Sequence, residues 1–287
     1  MGRRETGLRD ASIVAGEAIR GNAESTHGKS LTVAIPAFNE ERNIRDTIET
    51  VLLSARNVPD LRLEVLVVDD GSADDTARIV ETLADSHDNV RLVRNPRNLG
   101  LGSSIRRAIE EARGARFIIV PGDNDMPQDT LDLLFKNAYA ADVVMTYFHN
   151  DECRGRGRYL VSETFRLIYT SIFNLYVIYI NGPAIYPTVK LRELNLRATR
   201  FSIVAEINVK LLRQGVTFVE LPSERRRGLA GSTSISLRNF AETVRIFAHL
   251  LFDVYVHDRA RFSGHPTRIV YQISSITVQQ SSIQANQ

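Results

Sequence analysis

Asp123 and Asp125 stand two residues apart, directly behind the apolar run Phe117-Ile-Ile-Val120. Such a run reads as a buried strand, and a chain that stays extended past it points residues two apart to the same side. Two converging carboxylates suit Mg²⁺ or Mn²⁺, hard cations that take oxygen ligands and share them with substrate phosphates. Taken alone, an Asp-x-Asp is also the make-up of a solvated acidic turn. Asp69 and Asp70, ahead of Gly71-Ser72, are acceptors suited to ribose hydroxyls or a base edge. The same letters make an Asp-Gly turn before a helix cap. Asn98-Leu-Gly-Leu-Gly102 presents backbone N–H groups at a helix start, where phosphate binds. Its likeness to a dinucleotide fingerprint stops at Ile105, which takes the place of the third glycine.

Two basic runs complete the polar inventory. Arg154, Arg156 and Arg158 alternate with other residues in a Gly-containing stretch, and Arg225 to Arg227 precede Gly228 and Ser232-Thr-Ser234. Guanidinium forks pair bidentately with phosphate, so either run suits a diphosphate or an acceptor phosphate; a charge run also serves as a solvated face. Glu206 is an acid inside an otherwise apolar helical segment. It is a base or orienting group in a cleft, or an exposed helix position.

The elements that must hold these groups are readable from periodicity. Leu31 to Ile35 is a strand stopped by Pro36, with Asn39 as cap of a helix whose apolar positions are Ile44, Ile48, Val51 and Leu52. Leu63–Val68 is a second strand, followed by a helix bearing Ile79, Val80 and Leu83. Val90–Val93 is a third, followed by a helix through Ile105, Ala108 and Ile109. Phe117–Val120 is the fourth. This alternation predicts an α/β unit with a mostly parallel central sheet flanked by helices. Such sheets bind ligands beyond the carboxyl ends of their strands, and Pro36–Glu40, Asp69–Ser72, Asn98–Gly102 and Asp123–Asp125 all fall there. Later come a strand over Asp142–Thr146, an aromatic and aliphatic segment from Phe165 to Tyr186, a helix over Phe201–Leu212 and a strand over Thr217–Leu221. A final helix, about Arg238 to His257, carries an apolar stripe of Phe240, Val244, Phe247, Leu251 and Val254. Glu242, Arg245, His249 and Asp253 occupy its opposite, polar face.

Composition narrows the function classes. A chain of 287 residues with 43% hydrophobic and 24% charged residues is ordinary for a globular protein with a sizeable core. A formal charge of +2 gives no general attraction for nucleic acid. The single cysteine, Cys153, forms no internal disulfide, has no His near it in sequence and fits a reducing compartment. No segment reaches the ~18 uninterrupted apolar residues of a spanning helix. Met1 to Lys29 reads as a polar arm, and the chain from about Ser274 as a polar tail.

The runs Ile35-Pro-Ala-Phe-Asn-Glu-Glu41, Val67-Val-Asp-Asp-Gly-Ser-Ala-Asp-Asp-Thr76, Asn98–Gly102 and Gly122-Asp-Asn-Asp125 stand in this order. Together they resemble the family 2 glycosyltransferases of the GT-A fold, and most of all the dolichol- and polyprenyl-phosphate sugar transferase branch. The likeness runs from about Leu31 to Leu237. It implies a Rossmann-like nucleotide-diphospho-sugar transferase domain over 30–237, an arm over 1–29, and an amphipathic helix and tail over 238–287. The implied activity is an inverting, metal-dependent hexosyl transfer from a GDP- or UDP-sugar to a polyprenyl phosphate. By resemblance Pro36, Ala37, Asn39, Glu40 and Asp70 line the nucleoside pocket with Asp69 and Gly100. Asp123 and Asp125 hold Mg²⁺ or Mn²⁺ against the donor diphosphate, and Arg225 or Arg227 covers the acceptor or leaving-group phosphate. Two positions depart from the pattern. Where the branch has a Gln two residues past the second Asp, this chain has Pro127, leaving Gln128 as the candidate third ligand. Where it has Ser-Lys behind the basic loop, this chain has Ser232-Thr-Ser234.

An acceptor phosphate is already anionic and needs positioning more than a base; a hydroxyl acceptor needs a base within hydrogen-bond reach, for which Glu206 is the candidate. A lipid acceptor implies a cytoplasmic enzyme peripheral to the inner face of the membrane, resting there on Leu167–Ile180 and the final helix. The same surfaces serve internal packing or a homo-oligomer contact. A saccharide acceptor, as in cell-surface polysaccharide synthesis, and a non-catalytic nucleotide-sugar-binding protein are the alternatives.

Overall fold

Strict alternation of apolar side chains along the first strands divides the core in two. Leu31, Val33 and Ile35 pack on one side of the sheet with Val65 and Val67; Ala34, Leu66 and Val68 pack on the other. Every one of these is fully buried, and burying a Val, Leu or Ile contributes about 1.5–3 kcal/mol each. A sheet apolar on both faces needs helices on both, and that is the architecture of the computed structural model. It describes residues 29–148, 156–224 and 237–270, without the side chains of 156–162 and 237–240. The basic residues Arg154, Arg225 and Arg227, the side chains of Arg156 and Arg158, Cys153, Ser232–Ser234, most of the N-terminal arm and the tail lie outside the described residues.

The order is β1 (Ser30–Ala37), α1 (Ile44–Arg56), β2 (Arg62–Asp69), α2 (Thr76–Ser86), β3 (Val90–Arg94), α3 (Leu101–Glu111), β4 (Arg116–Ile119) and α4 (Gln128–Lys136). Then follow β5 (Val143–Phe148), α5 (Arg156–Ile172), β6 (Ala184–Pro187), α6 (Thr188–Arg192), α7 (Ile203–Leu212), β7 (Thr217–Ser223), α8 (Leu237–Phe252) and β8 (Thr267–Arg268). The strands form one sheet in the order β3-β2-β1-β4-β6-β5-β7-β8. All pairings are parallel except those of β6, which runs against both β4 and β5. Two reversals restore the direction, so β1, β2, β4, β5 and β7 all end at the same edge. Helices α1, α2 and α4 cover one face; α3, α7 and α8 cover the other.

Several expectations change. Strand β1 continues through Pro36 to Ala37 instead of stopping. Its pairing with β4 ends at Ala34, so the missing N–H of Pro36 costs no bond on that side. Asn39 does not cap α1. It adopts a left-handed φ of 57° and turns its side chain to the neighbouring loop, while Asn43 occupies the N-cap position without a side-chain capping bond, its amide donating to Glu40 instead. Part of the aromatic segment becomes β6, a strand that the periodicity does not announce. Helix α8 ends at Phe252 and continues as a π-helical turn, Asp253–His257. Its buried positions include Ile246, Leu250 and Val254, whereas Val244 is exposed and the acids Glu242 and Asp253 are buried.

Glu242 accepts from the Thr199 N–H and hydroxyl, and Asp253 enters a charge network. The Lys210 ammonium lies 2.9 Å from Glu206 and 3.1 Å from Asp253, and Arg197 lies 3.2 Å from the other Asp253 oxygen. This group ties α7 to the π-helical turn. At the start of β5, Asp142 accepts from the Thr217 N–H and hydroxyl at 3.0 and 3.1 Å, and Lys190 stands 3.5 Å away. Desolvation pushes the Asp142 carboxyl up, but the Thr217 bonds, Lys190 and Arg116 together hold it below its usual value. A depressed carboxylate stabilises the fold above the usual carboxylate range, and that contribution is lost as pH falls through the lowered value. Asp142→Asn is therefore expected to destabilise the protein at neutral pH, with the difference from wild type shrinking under strong acid. Urea unfolding at about pH 7 and about pH 3 measures both. A gap that does not shrink removes the carboxylate charge from the account.

Candidate functional site

The shared strand edge gathers the loops after β1, β2 and β4. The first two are laced together along their length. Asp70 N donates to Ala37 O at 2.8 Å, Asn39 N to Ser72 Oγ at 2.9 Å, and Ala73 N to Asn39 Oδ1 at 2.9 Å. Glu40 N donates to Thr76 Oγ1 at 2.8 Å and Glu41 N to Asp74 Oδ2 at 3.1 Å. Five bonds between loops over 30 residues apart leave neither loop free to move alone.

Asp69 and Asp70 point inward from this seam. Asp69 is fully buried; one oxygen accepts from Ser72 N at 3.0 Å and the other lies 3.3 Å from Arg94 Nε. Asp70 accepts from the Asn95 amide at 2.7 Å, Leu99 N at 3.0 Å and Gly100 N at 2.8 Å. The N–H groups ahead of α3, expected to face a phosphate, and Asp70, expected to face the nucleoside, are bonded to each other in this structure. Gly100 is needed there because φ is +90° and an added Cβ would lie 2.6 Å from Thr199 O. Asp70→Ala would leave buried N–H groups unpaired and is expected to cost about 2–3 kcal/mol in urea unfolding. A loss near zero would mean that water replaces the carboxylate.

The Asp-x-Asp comes together by a turn, not by extension. Strand β4 stops at Ile119, Asn124 takes a left-handed φ of 56°, and Asp125 N donates to Asp123 Oδ1 at 3.2 Å. The loop is fixed from behind: Thr47 Oγ1 donates to Gly122 O at 3.0 Å, and Gly122 packs so close that a Cβ would sit 3.2 Å from Pro36 O. Glu40 stands within electrostatic range on the β1 side. Desolvation raises its carboxyl, and the negative charges of Asp123 and Asp74 add to that rise against the Asn43 amide bond. Asp123, although its side chain reaches solvent, is raised by desolvation; the bond from Asp125 N–H opposes that rise, and the Asp125 charge adds to it more weakly. The loop thus concentrates negative charge on Glu40, Asp123 and Asp125.

A divalent cation fits that charge. Mg²⁺ is usually held by one or two carboxylates with substrate phosphates and water completing the shell, and Asp123 with Asp125 supplies that number. Among the described residues no group of three or more His, Cys, Asp or Glu forms a closed metal cage. Gln128 is the first residue of α4 and half-buried, the candidate for an additional ligand. Asp125 also lines a small cavity of about 100 Å³ with Met126, Pro127, Thr130, Phe148 and Pro183.

Glu206 is not brought to this cluster. It is 1% exposed and accepts from Arg197 N, Ala198 N and the Lys210 ammonium. A carboxylate so enclosed holds a loop to α7 and has no open side from which to take a substrate proton. Sequence reasoning also missed Thr47, Ser72, Asp74, Thr76 and Asn95, which fix the loops. Ser72, Asp74 and Thr76 lie within the quoted Val67–Thr76 run; Asn95 and Thr47 carried no signal. Among the described residues no helix is long and apolar enough to cross a membrane.

Comparison with known proteins agrees with this geometry. The model of glycosyl transferase family 2 matches residues 32–194, over half of the chain. A dolichyl-phosphate beta-glucosyltransferase of Trichomonas vaginalis is 34% identical over 109 residues, covering 37% of this chain and 32% of that protein. An undecaprenyl-phosphate 4-deoxy-4-formamido-L-arabinose transferase of Proteus mirabilis is 31% identical over 123 residues, 42% of this chain and 37% of that one. The chain therefore spans well under half the length of these two relatives. Among solved structures, glucosyl-3-phosphoglycerate synthase of Mycobacterium tuberculosis, in complex with Mn²⁺, uridine diphosphate and phosphoglyceric acid, superposes with a TM-score of 0.53 at 20% identity. That superposition covers 78% of each chain and shows a shared GT-A fold.

Proposed function

Because this chain belongs to glycosyl transferase family 2, we propose that it moves a sugar from a GDP- or UDP-sugar to a polyprenyl phosphate, with Mg²⁺ or Mn²⁺ at Asp123 and Asp125. The observation that carries the reading is the position of that carboxylate pair. It stands at the strand edge between the laced β1 and β2 loops on one side and apolar cavities on the other. Pro36, Ala37, Asn39 and Glu40 form the donor side. The bound ion supplies charge neutralisation for the departing nucleoside diphosphate, where negative charge grows in the transition state. Asp123 and Asp125 aim the diphosphate, and the turn through Asn124 keeps both carboxylates in one orientation. Arg225 or Arg227 covers the acceptor or leaving-group phosphate.

The burial of Glu206 supports a phosphate acceptor over a hydroxyl one. A phosphate oxygen is a nucleophile without losing a proton, so the site has to position it and screen its charge, not deprotonate it. Attack from the face opposite the leaving diphosphate inverts the sugar carbon. An acceptor of this kind places the enzyme at a membrane surface, on the cytoplasmic inner face, with the apolar side chains of α5 against the lipid.

The test is a panel of nucleotide sugars with a polyprenyl phosphate and a simple saccharide as acceptors, with and without Mn²⁺. Mn²⁺-dependent transfer to the lipid is expected. Transfer to the saccharide alone would overturn the acceptor, and neither transfer nor donor hydrolysis would overturn the catalytic reading.

A further inference from the structure

Next to the Asp125 cavity the sheet edge opens into a larger one of about 510 Å³, and Phe148 is a wall of both. Its lining includes Tyr147, Leu175, Val177 and Tyr179 beside the polar Thr170, Glu163, Arg166 and Arg268, with Phe148 and Tyr179 in edge contact at 5.8 Å between ring centres. The wall is fixed, since Ile178 N donates to Glu220 Oε1 at 2.6 Å. The charged side chains of the lining are paired: Arg166 with Glu163 at 2.6 Å, and Arg268 with Glu220 behind it. Tyr176, also on the lining, is 82% exposed, and Leu167, Ile168 and Ile172 stand exposed on the last turns of α5. The larger cavity thus lies between an apolar outer surface and the smaller cavity that Asp125 lines, with Phe148 common to both.

We propose that this cavity takes the phosphate-proximal isoprene units of the acceptor, and that Phe148, Val177 and Tyr179 set how much of the lipid the enzyme reads. The inference rests on the polyprenyl phosphate reading above. Three features carry it. The shared Phe148 wall places a chain in the cavity with its head towards Asp125. The charges of the lining are already paired within the protein, which disfavours a second anion and leaves contact with the apolar lining as the main attraction. A volume in the usual range for a small ligand cannot contain a long isoprenoid. The first few units fit, and the remainder stays outside on the exposed apolar face of α5 and Tyr176, where a bilayer would hold it. A chain entering this way never crosses water. Recognition is then blind to total chain length beyond the cavity.

The experiment is acceptor kinetics with a series from methyl phosphate through geranyl, farnesyl and geranylgeranyl to undecaprenyl phosphate. In wild type, KM is expected to fall about tenfold with each early unit and then to level off once the cavity is full. Val177→Trp fills the cavity and should move the levelling point to a shorter chain, raising KM at least tenfold for the longer acceptors. Tyr179→Ala enlarges it and should move the point to a longer chain. Unfolding midpoints and Mn²⁺-dependent nucleotide binding verify that each variant is folded. If Val177→Trp fails to fold, the Tyr179→Ala shift decides alone. A KM independent of chain length in wild type, or the same length dependence in both variants, overturns the inference while leaving the proposed function standing. No transfer to any polyprenyl phosphate overturns the function, and the inference falls with it.

Discussion

Asp125→Asn is expected to lower sugar transfer about 100- to 1,000-fold, the scale seen when one group that stabilises transition-state charge is removed. The asparagine keeps the size of the side chain and one carbonyl oxygen, but it loses the charge that draws a divalent cation. Nothing structural should follow. The bond that shapes the turn runs from the Asp125 backbone N–H to Asp123 Oδ1, so it survives the substitution. Relief of charge in a loop where Glu40 and Asp123 are both raised above their usual values should, if anything, steady the metal-free protein. The informative measurement is turnover across a Mn²⁺ titration, alongside the unfolding midpoint. Turnover within threefold of wild type, at unchanged Mn²⁺ dependence, would remove Asp125 from the reaction.

Lys210→Met should be the most damaging change to stability, at about 3–5 kcal/mol. The ammonium is 2% exposed and stands between Glu206 and Asp253, which are equally enclosed. Methionine fills nearly the same space, so little packing is lost. What remains are two buried carboxylates, with Arg197 on the far side of Asp253 and backbone N–H groups on Glu206. Uncompensated buried charge is far more costly than a lost contact, because neither acid can reach water without opening the structure. Adding Glu206→Gln to Lys210→Met should restore part of the loss, a non-additivity that an ordinary packing defect would not show. Urea unfolding of the two variants measures it. A loss below about 1 kcal/mol in the single variant would mean that solvent already enters the network.

Legibility in the sequence followed the physics of each group. The alternation of strands and helices, and the placing of four polar clusters at strand ends, came from apolar periodicity, which is a property of single segments. The carboxylate pair could be singled out because its residue types and its place behind an apolar run say enough by themselves. The bond set of Asp70 was not readable, because it depends on Leu99 and Gly100, 29 and 30 residues further on. Sequence reading saw an acceptor and two donors as separate binding sites; in space each is the other's partner. Glu206 failed for another reason. Helix α7 is buried on nearly every side, so its pattern offers no polar face by which to judge an acid. Strand β6, four residues inside an aromatic stretch, has too few positions to show a period of two.

The seam between the β1 and β2 loops also governs how this site can change over generations or at the bench. Asn39 and Ser72 answer each other across it, as do Glu40 with Thr76 and Glu41 with Asp74. The β1 side gives backbone N–H groups that most substitutions keep, so it is loss of the Ser72, Thr76 or Asp74 oxygen, or of Asn39 Oδ1, that strands a partner across the seam. Transplanting the seam from a relative then requires 38–43 and 70–76 together wherever residue 39, 72, 74 or 76 differs.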